Sequence, residues 1–336
     1  MEWFETLVLG SVQGLTEFLP ISSDGHLLIT QKLFGWLKGY SRTGSENLFF
    51  DVMLHVGTLA AIVIYYRPVI KTGARGLLGS TEVPPAYRRA AVIRVGLLAV
   101  VATLPLIPLK LFLKDLIDQT FESAAAAGIG FLITAAVLSL TARLSGGDKG
   151  PLEMSWLDAL LIGIAQMFAP LPGVSRSGLT VAAALARGLS RSWAVGFSLL
   201  IAVPAISGAA FFEIVKVLKL KPDTLTPDRV AQTVAATVLA GVIGYGAIIW
   251  LVKIVRAGRL WYFSVYLIVL APIVLALSAL SGGPLDARHP KDLDRPARVG
   301  AVRTGPGGRV ERPVGSLDRP DAAGARPGRP HAGAPA

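Results

Sequence analysis

Cysteine is absent from all 336 residues. Its absence removes disulfides, thiolate metal sites and a cysteine nucleophile together. Histidine is scarce: of four in the chain, only His26 and His55 precede residue 281. Charge is scarce as well, with Asp, Glu, Lys and Arg making up 16% of the residues against about 25% in soluble domains. Apolar residues fill the difference, at 52% of the chain and a mean hydropathy of +0.57. They gather in runs nearly free of charge at 95–109, 123–141, 193–212, 230–252 and 260–280. About 20 apolar residues let a helix cross a bilayer, whereas the ten-residue alternation of a membrane barrel is missing. The expected fold is an all-α, polytopic integral membrane protein, a helical bundle. Glu2 and Glu5 stand where a signal peptide would carry basic residues, so the first apolar stretch reads as a retained helix. The net charge of +11 fits the basic loops of a membrane protein and does not call for nucleic acid.

Residues 281–336 change character, with nine Pro, ten Gly and ten Lys or Arg against six Asp or Glu. Nothing there forms a core, so this stretch reads as a disordered tail, leaving 1–280 as the membrane-embedded domain. Eight spanning candidates fall at 1–19, 48–66, 91–113, 121–142, 155–171, 193–218, 229–254 and 260–280. Two apolar stretches, 26–36 and 178–189, are too short to cross, and each follows a Pro/Gly/Ser-rich break. Short segments at matching places in two halves mark re-entrant helices in inverted repeats. At an offset of 153, Leu7, Gly10, Gln13, Ser22 and Gly25 overlay Leu160, Gly163, Gln166, Ser175 and Gly178, which predicts two repeats of about 1–113 and 153–280. Arg67, Lys71, Arg75, Arg88, Arg89 and Arg94 against the single acid Glu82 make 67–94 a cytoplasmic loop. Lys114, Asp115 and Asp118 then face outward, and the 216–221 lysines fit that scheme less well.

Chemistry concentrates at the two breaks. In the first, Gln13 and Glu17 stand four apart and share a helix face. A carboxylate at membrane depth is a functional candidate unless it is merely paired. Pro20 ends that helix, and Ser22, Ser23, Asp24 and Gly25 form a polar loop with cap chemistry for the next, with His26 in its first turn. In the second, Pro172, Gly173, Ser175, Arg176, Ser177, Gly178 and Thr180 open another short helix. Gly and Ser before a helix N-terminus aim backbone N–H groups at an anion, and Arg176 adds a planar fork suited to phosphate. The plain alternatives are a buried Glu17–Arg176 ion pair, serines that only cap, and an Asp51–His55 pair, four apart, that is structural rather than catalytic. Together the clusters hold a phosphate cradle, a hydroxyl nucleophile, a base and an acid able to hold a divalent cation. Those are the parts of a phosphoryl-transfer site for a lipid.

With these residues the chain resembles the BacA-type undecaprenyl-diphosphate phosphatases, the bacitracin resistance proteins. The resemblance rests on a (Glu/Gln)-xxx-Glu motif running into Ser-Ser-x-Gly-His, here Gln13 to His26, and on Pro-Gly-x-Ser-Arg-Ser-x-x-Thr, here Pro172 to Thr180. The stretch from Phe50 through Asp51, His55, Gly57 and Thr58 is similar too, and the likeness covers 1–280. It implies removal of the terminal phosphate of undecaprenyl diphosphate, which recycles the lipid carrier for peptidoglycan synthesis and confers bacitracin resistance. It further implies a bacterial inner-membrane enzyme whose site opens to the periplasmic face, supported by Mg²⁺ or Ca²⁺. Carried over, Glu17 and Gln13 bind the metal or place water, Ser23 is the nucleophile and His26 its base. Ser22, Ser175, Arg176, Ser177 and Thr180 hold the diphosphate. Metal-activated water is the alternative to Ser23. Gln13 replaces a carboxylate that many members carry, and Asp24 replaces the commoner Thr or Ser. A polyprenyl-phosphate transporter or flippase is the competing function, because broken helices in inverted repeats also build transporters. The expected partners are the lipid substrate and the bilayer, with a homo-oligomer compatible with the sequence.

Overall fold

The computed structural model describes residues 2–38, 45–112, 120, 123–219 and 226–280. Two compact units divide the chain, and Met1–Arg288 contains every described helix. The other, His289–Ala336, lies outside the described residues together with the rest of the expected tail, the 114–118 segment and residues 220–221. Among the described residues, twelve α-helices follow in order: α1 Trp3–Thr16, α2 Ser23–Lys38, α3 Ser45–Tyr65, α4 Arg67–Leu77, α5 Arg89–Thr103 and α6 Leu106–Phe112, then α7 Ala124–Leu140, α8 Trp156–Met167, α9 Arg176–Ala186, α10 Arg191–Lys219, α11 Pro227–Arg256 and α12 Tyr262–Leu280. No strand occurs among the described residues. The protein is an all-α, multi-pass membrane protein.

The helix ends follow from local chemistry. Ser123, Ser155, Ser175 and Thr226 each accept a hydrogen bond from a first-turn N–H, satisfying donors that a helix start otherwise leaves bare. Ser155 and Asp158 complete a reciprocal capping box on α8. Pro204 and Pro272 sit inside α10 and α12, where neighbouring helices tolerate a missing hydrogen bond.

Among the described residues, five helices are long and apolar enough to cross a membrane: Arg89–Pro108, Ala124–Arg143, Arg191–Gly208, Pro227–Arg256 and Tyr262–Leu280. The pair Phe49–Tyr65 and Arg67–Leu77, bent by 67°, makes a sixth if taken as one span. The expected spans 1–19 and 155–171 are corrected by this: α1 has 14 residues and α8 has 12. Both end at turns introduced by Pro20 and by Pro170 and Pro172, where a ring nitrogen without a proton cannot extend the ladder. The helices after those turns, α2 and α9, have 16 and 11 residues, about 24 and 17 Å of rise.

Close backbone approach sets the packing of α1 and α8. A Cβ at Gly10 would stand 2.8 Å from the Ala236 carbonyl oxygen of α11, and one at Gly163 would stand 2.5 Å from that of Ala102 in α5. Small residues at such contacts let membrane helices pack without a hydrophobic drive. α3 packs on α11, and α10 on both α3 and α5. The large apolar cluster, with Phe18, Phe131 and Phe197 fully buried, surrounds the place where the two breaks meet.

Candidate active site

The breaks after α1 and after α8 touch. A Cβ on Gly25 would lie 2.9 Å from the Gly173 Cα, and the Ser177 hydroxyl donates to the Leu19 carbonyl at 3.1 Å. Gly173 has φ +81° and its Cβ position is 2.0 Å from the Ala127 carbonyl oxygen, so only glycine allows this approach. Ser22 also lies in the left-handed region, at φ 71°, a conformation that costs a non-glycine residue about 1–3 kcal/mol and is usually retained where function needs it.

Glu17 forms the floor of the cluster, with its side chain 4% exposed. Its Oε1 accepts from Arg176 Nη2 at 2.8 Å. Its Oε2 accepts from Gln13 Nε2 at 3.0 Å and from the Ser23 hydroxyl at 2.7 Å. One carboxylate therefore joins the first motif to the second across 159 residues of sequence. Arg176 Nη1 is buried with no partner among the described residues, as is Gln13 Oε1. A guanidinium with one nitrogen on a carboxylate and the other uncommitted is prepared for an anion, because leaving a buried donor unsatisfied is costly.

His55 belongs to the same cluster. Its Nε2 is 3.8 Å from Glu17 Oε2 and 3.9 Å from Asp24 Oδ1, and Gln13 Nε2 lies 3.3 Å from its Nδ1. Asp51 and His55 are joined through the backbone, His55 Nδ1 lying 2.9 Å from the Asp51 carbonyl oxygen. The Asp51 carboxylate accepts instead from Gln31 at 3.0 Å. Asp24, 31% exposed, and His55, 26% exposed, are more accessible than Glu17. Asp24 brings a second carboxylate to the cluster although Gln13 carries none.

His26 is not joined to Ser23. Its Nδ1 donates to the Ser22 carbonyl at 2.7 Å, and its Nε2 lies 2.8 Å from the Tyr266 hydroxyl. The ring stacks on Tyr266 at 5.8 Å and meets Phe131 at 5.0 Å. The base within hydrogen-bond reach of the Ser23 hydroxyl is Glu17. Ser175, Ser177 and Thr180 likewise turn inward. Ser175 Oγ accepts from Gly178 N–H at 3.1 Å and stands 3.2 Å from Ser177 Oγ. Thr180 donates to the Arg176 carbonyl at 2.8 Å and lies 2.6 Å from Ser198 Oγ. These hydroxyls are committed within the break, and the side chain of the second motif left with an uncommitted donor is Arg176, at Nη1. Thr134 of α7 supports it, donating to the Gly173 carbonyl and accepting from Ser175 N–H, both at 3.0 Å.

The divalent cation implied by the resemblance finds a partial donor set. Among the described residues, no group of three His, Asp or Glu side chains could hold a metal ion. Gln13 turns its Nε2 to the Glu17 carboxylate and leaves its Oε1 without a partner among the described residues, an oxygen of the kind a hard cation takes, and Mg²⁺ usually binds through one or two such groups plus substrate phosphates. The residues fit a cation that arrives with, or is completed by, a diphosphate.

Sequence reasoning left His55 between two roles and gave none to Tyr266 or Thr134. The signal for His55 was its place beside other polar groups within an apolar helix. Tyr266, 240 residues from His26, left no local signal.

Comparison with known proteins identifies the family. The family model for bacitracin resistance protein BacA matches residues 6–273. A protein of Carboxydothermus hydrogenoformans named undecaprenyl-diphosphatase is 38% identical over 282 residues, 83% of this chain and 98% of that protein. Similarly named proteins of Desulfosudis oleivorans and Nocardioides sp. are 39% and 36% identical, over 82% and 83% of this chain and 98% and 97% of their own lengths.

Proposed function

The chain belongs to the bacitracin resistance protein BacA family, and from that membership we propose that it hydrolyses undecaprenyl diphosphate to undecaprenyl phosphate and inorganic phosphate. The product is the carrier on which peptidoglycan precursors are built, and removal of the diphosphate form underlies bacitracin resistance. The observation that carries the chemistry is the Ser23 hydroxyl on Glu17 Oε2, with Arg176 held by the other oxygen of the same carboxylate.

In the proposed reaction the diphosphate enters past Asp24 and His55, and its terminal phosphoryl oxygens meet Arg176 Nη1. Ser23 Oγ attacks the terminal phosphorus as its proton passes to Glu17 Oε2. The bond from phosphorus to the bridging oxygen breaks, and undecaprenyl phosphate leaves with the electron pair. Water then attacks the phosphoserine, releasing inorganic phosphate and returning the proton to Ser23. Phosphoryl transfer depends mainly on position and on donors facing the equatorial oxygens, and Arg176 meets that need. His26 holds the loop, its Nδ1 on Ser22 and its Nε2 against Tyr266. A divalent cation at Gln13 and Glu17 would supply charge neutralisation for the diphosphate.

The duplication, the re-entrant placement of α2 and α9, an inner-membrane location and a periplasmic opening belong to the same proposal. Its support is the paired breaks, the basic 67–94 segment and the matching contacts of Gly10 and Gly163. The test is phosphate release from undecaprenyl diphosphate by the detergent-solubilised full-length protein. A phosphatase turns over without a sealed membrane. Uptake into vesicles without phosphate release would establish the transporter instead.

A further inference from the structure

A cavity of about 340 Å³ opens at the other end of α3 from the site. Ten residues separate His55 from Tyr65 at the cavity wall, about 15 Å along the helix axis. Its walls come from the end of α3, the first turns of α4 and α10, and the last turns of α11.

The polar lining is rich in donors. Trp193 is one of the lining residues, and its Nε1, which can only donate, is buried behind that surface with no partner among the described residues. Arg256 lines the cavity with a full positive charge, and Tyr66 and Ser192 bring hydroxyls. No lining residue is acidic. Ser192 and Trp193 lie in the first turn of the 29-residue α10 and Val69 in that of α4, while Tyr65 and Arg256 end α3 and α11, so the helix dipoles at the cavity offset one another and the positive charge there is that of Arg256. The demand of such a cavity is for an anionic acceptor. The remaining lining is aromatic and aliphatic, and the volume far exceeds that of a single water, about 30 Å³. Arg67, Lys71, Arg88 and Arg89 lie in the adjoining α4 and α5 segments, on the basic side of the membrane, where anionic lipids gather near Lys and Arg.

We propose that this cavity is a binding site for the phosphate head group of an anionic membrane phospholipid, separate from the site at the two breaks. Arg256 and the Trp193 N–H take the phosphodiester oxygens, and the rings of Tyr65 and Trp193 cover the first carbons of the acyl-glycerol. A Cβ at Gly196 would stand 3.5 Å from the Trp193 ring and 3.9 Å from the Tyr66 hydroxyl. Glycine there keeps the space open, and a larger side chain would occupy it.

The test uses the purified full-length protein in a non-ionic detergent, with retained lipid counted by native mass spectrometry during titration with phosphatidylglycerol or phosphatidylcholine. One tightly retained phosphatidylglycerol is expected, with phosphatidylcholine held at least tenfold more weakly. Arg256→Gln and Gly196→Leu should each weaken phosphatidylglycerol at least tenfold, and Trp193→Phe, which keeps the packing on Phe197, several-fold. Arg259→Gln, outside the cavity lining, and Arg176→Ala, at the breaks, should leave it unchanged. Unaltered retention in both Arg256→Gln and Trp193→Phe would overturn the proposal. So would equal loss in Arg259→Gln, which would mean general surface attraction, or loss in Arg176→Ala, which would place the lipid at the other site. Displacement of the lipid by millimolar inorganic phosphate alone would assign the cavity to a free anion and overturn the lipid.

Discussion

Replacing Arg176 by lysine separates charge from geometry. In the folded protein Arg176 Nη2 is committed to Glu17 Oε1 at 2.8 Å, while Nη1 is buried and uncommitted. A guanidinium reaches two anions at once because its two terminal nitrogens diverge from one carbon. An ammonium has one nitrogen on a flexible stem. In Arg176→Lys that nitrogen either stays on Glu17 and abandons the phosphoryl oxygens or leaves the buried carboxylate without its partner. A phosphoryl contact that strengthens as charge spreads in the transition state would be lost in either case. The expected fall in rate is on the order of 10²-fold, about 2.7 kcal/mol. Net charge is preserved, so the variant should remain folded. The assay is single-turnover phosphate release under saturating enzyme, beside gel filtration to show a monodisperse protein, with Arg176→Ala at least as impaired. A well-folded Arg176→Lys releasing phosphate at near wild-type rate would mean that Arg176 acts only as a charge.

Other outcomes follow from the same contacts. Glu17→Gln keeps the shape but removes the proton acceptor of Ser23, so turnover should fall at least about 10³-fold while membrane insertion persists. Retained activity would return Glu17 to a structural pair with Arg176. Gly173→Ala forces a methyl to 2.0 Å from the Ala127 carbonyl oxygen at φ +81°, and should lose more than about 3 kcal/mol of stability, visible as a lower melting temperature in detergent; an unchanged melting temperature would mean that the breaks are not packed as described. Chelation should depress phosphate release, and Gln13→Glu should lower the Mg²⁺ needed to restore it several-fold, which a magnesium titration reads; no change in that requirement would remove Gln13 from the cation's surroundings. Removing residues 281–336 should leave phosphate release within about tenfold, roughly 1.4 kcal/mol of barrier, and a larger loss would bring that stretch into the working enzyme.

The legible parts of this protein are those whose chemistry is consecutive in sequence. Helical spans announce themselves through runs of apolar residues, because the bilayer demands a minimum length. Pro20 and Pro172 mark the breaks because a proline removes a donor wherever it stands. The same prolines shorten α1 and α8 to 14 and 12 residues, and hydropathy alone overestimates those two spans. What sequence does not reveal is the direction of a hydroxyl. Ser177 finds the Leu19 carbonyl and Ser23 finds Glu17, and nothing in either motif distinguishes the serine facing the cavity from the one bridging the loops. His26 reads as the natural base for a nearby serine, yet its two nitrogens meet Ser22 and Tyr266. That partnership depends on Tyr266 of α12 reaching His26 in the first turn of α2, a tertiary fact with no local signature.

The central claim is that the two breaks form one site in which Ser23, activated by Glu17, receives the phosphoryl group. The most direct measurement is acid quenching of the full-length protein after brief exposure to undecaprenyl diphosphate labelled in its terminal phosphate, followed by peptide mapping. The account predicts label on the peptide containing Ser23, chased into inorganic phosphate with time and absent from Ser23→Ala, which should release phosphate at least about 10³-fold more slowly. Phosphate release by Ser23→Ala at the wild-type rate, with no labelled peptide in either protein, would contradict it and assign the attack to water.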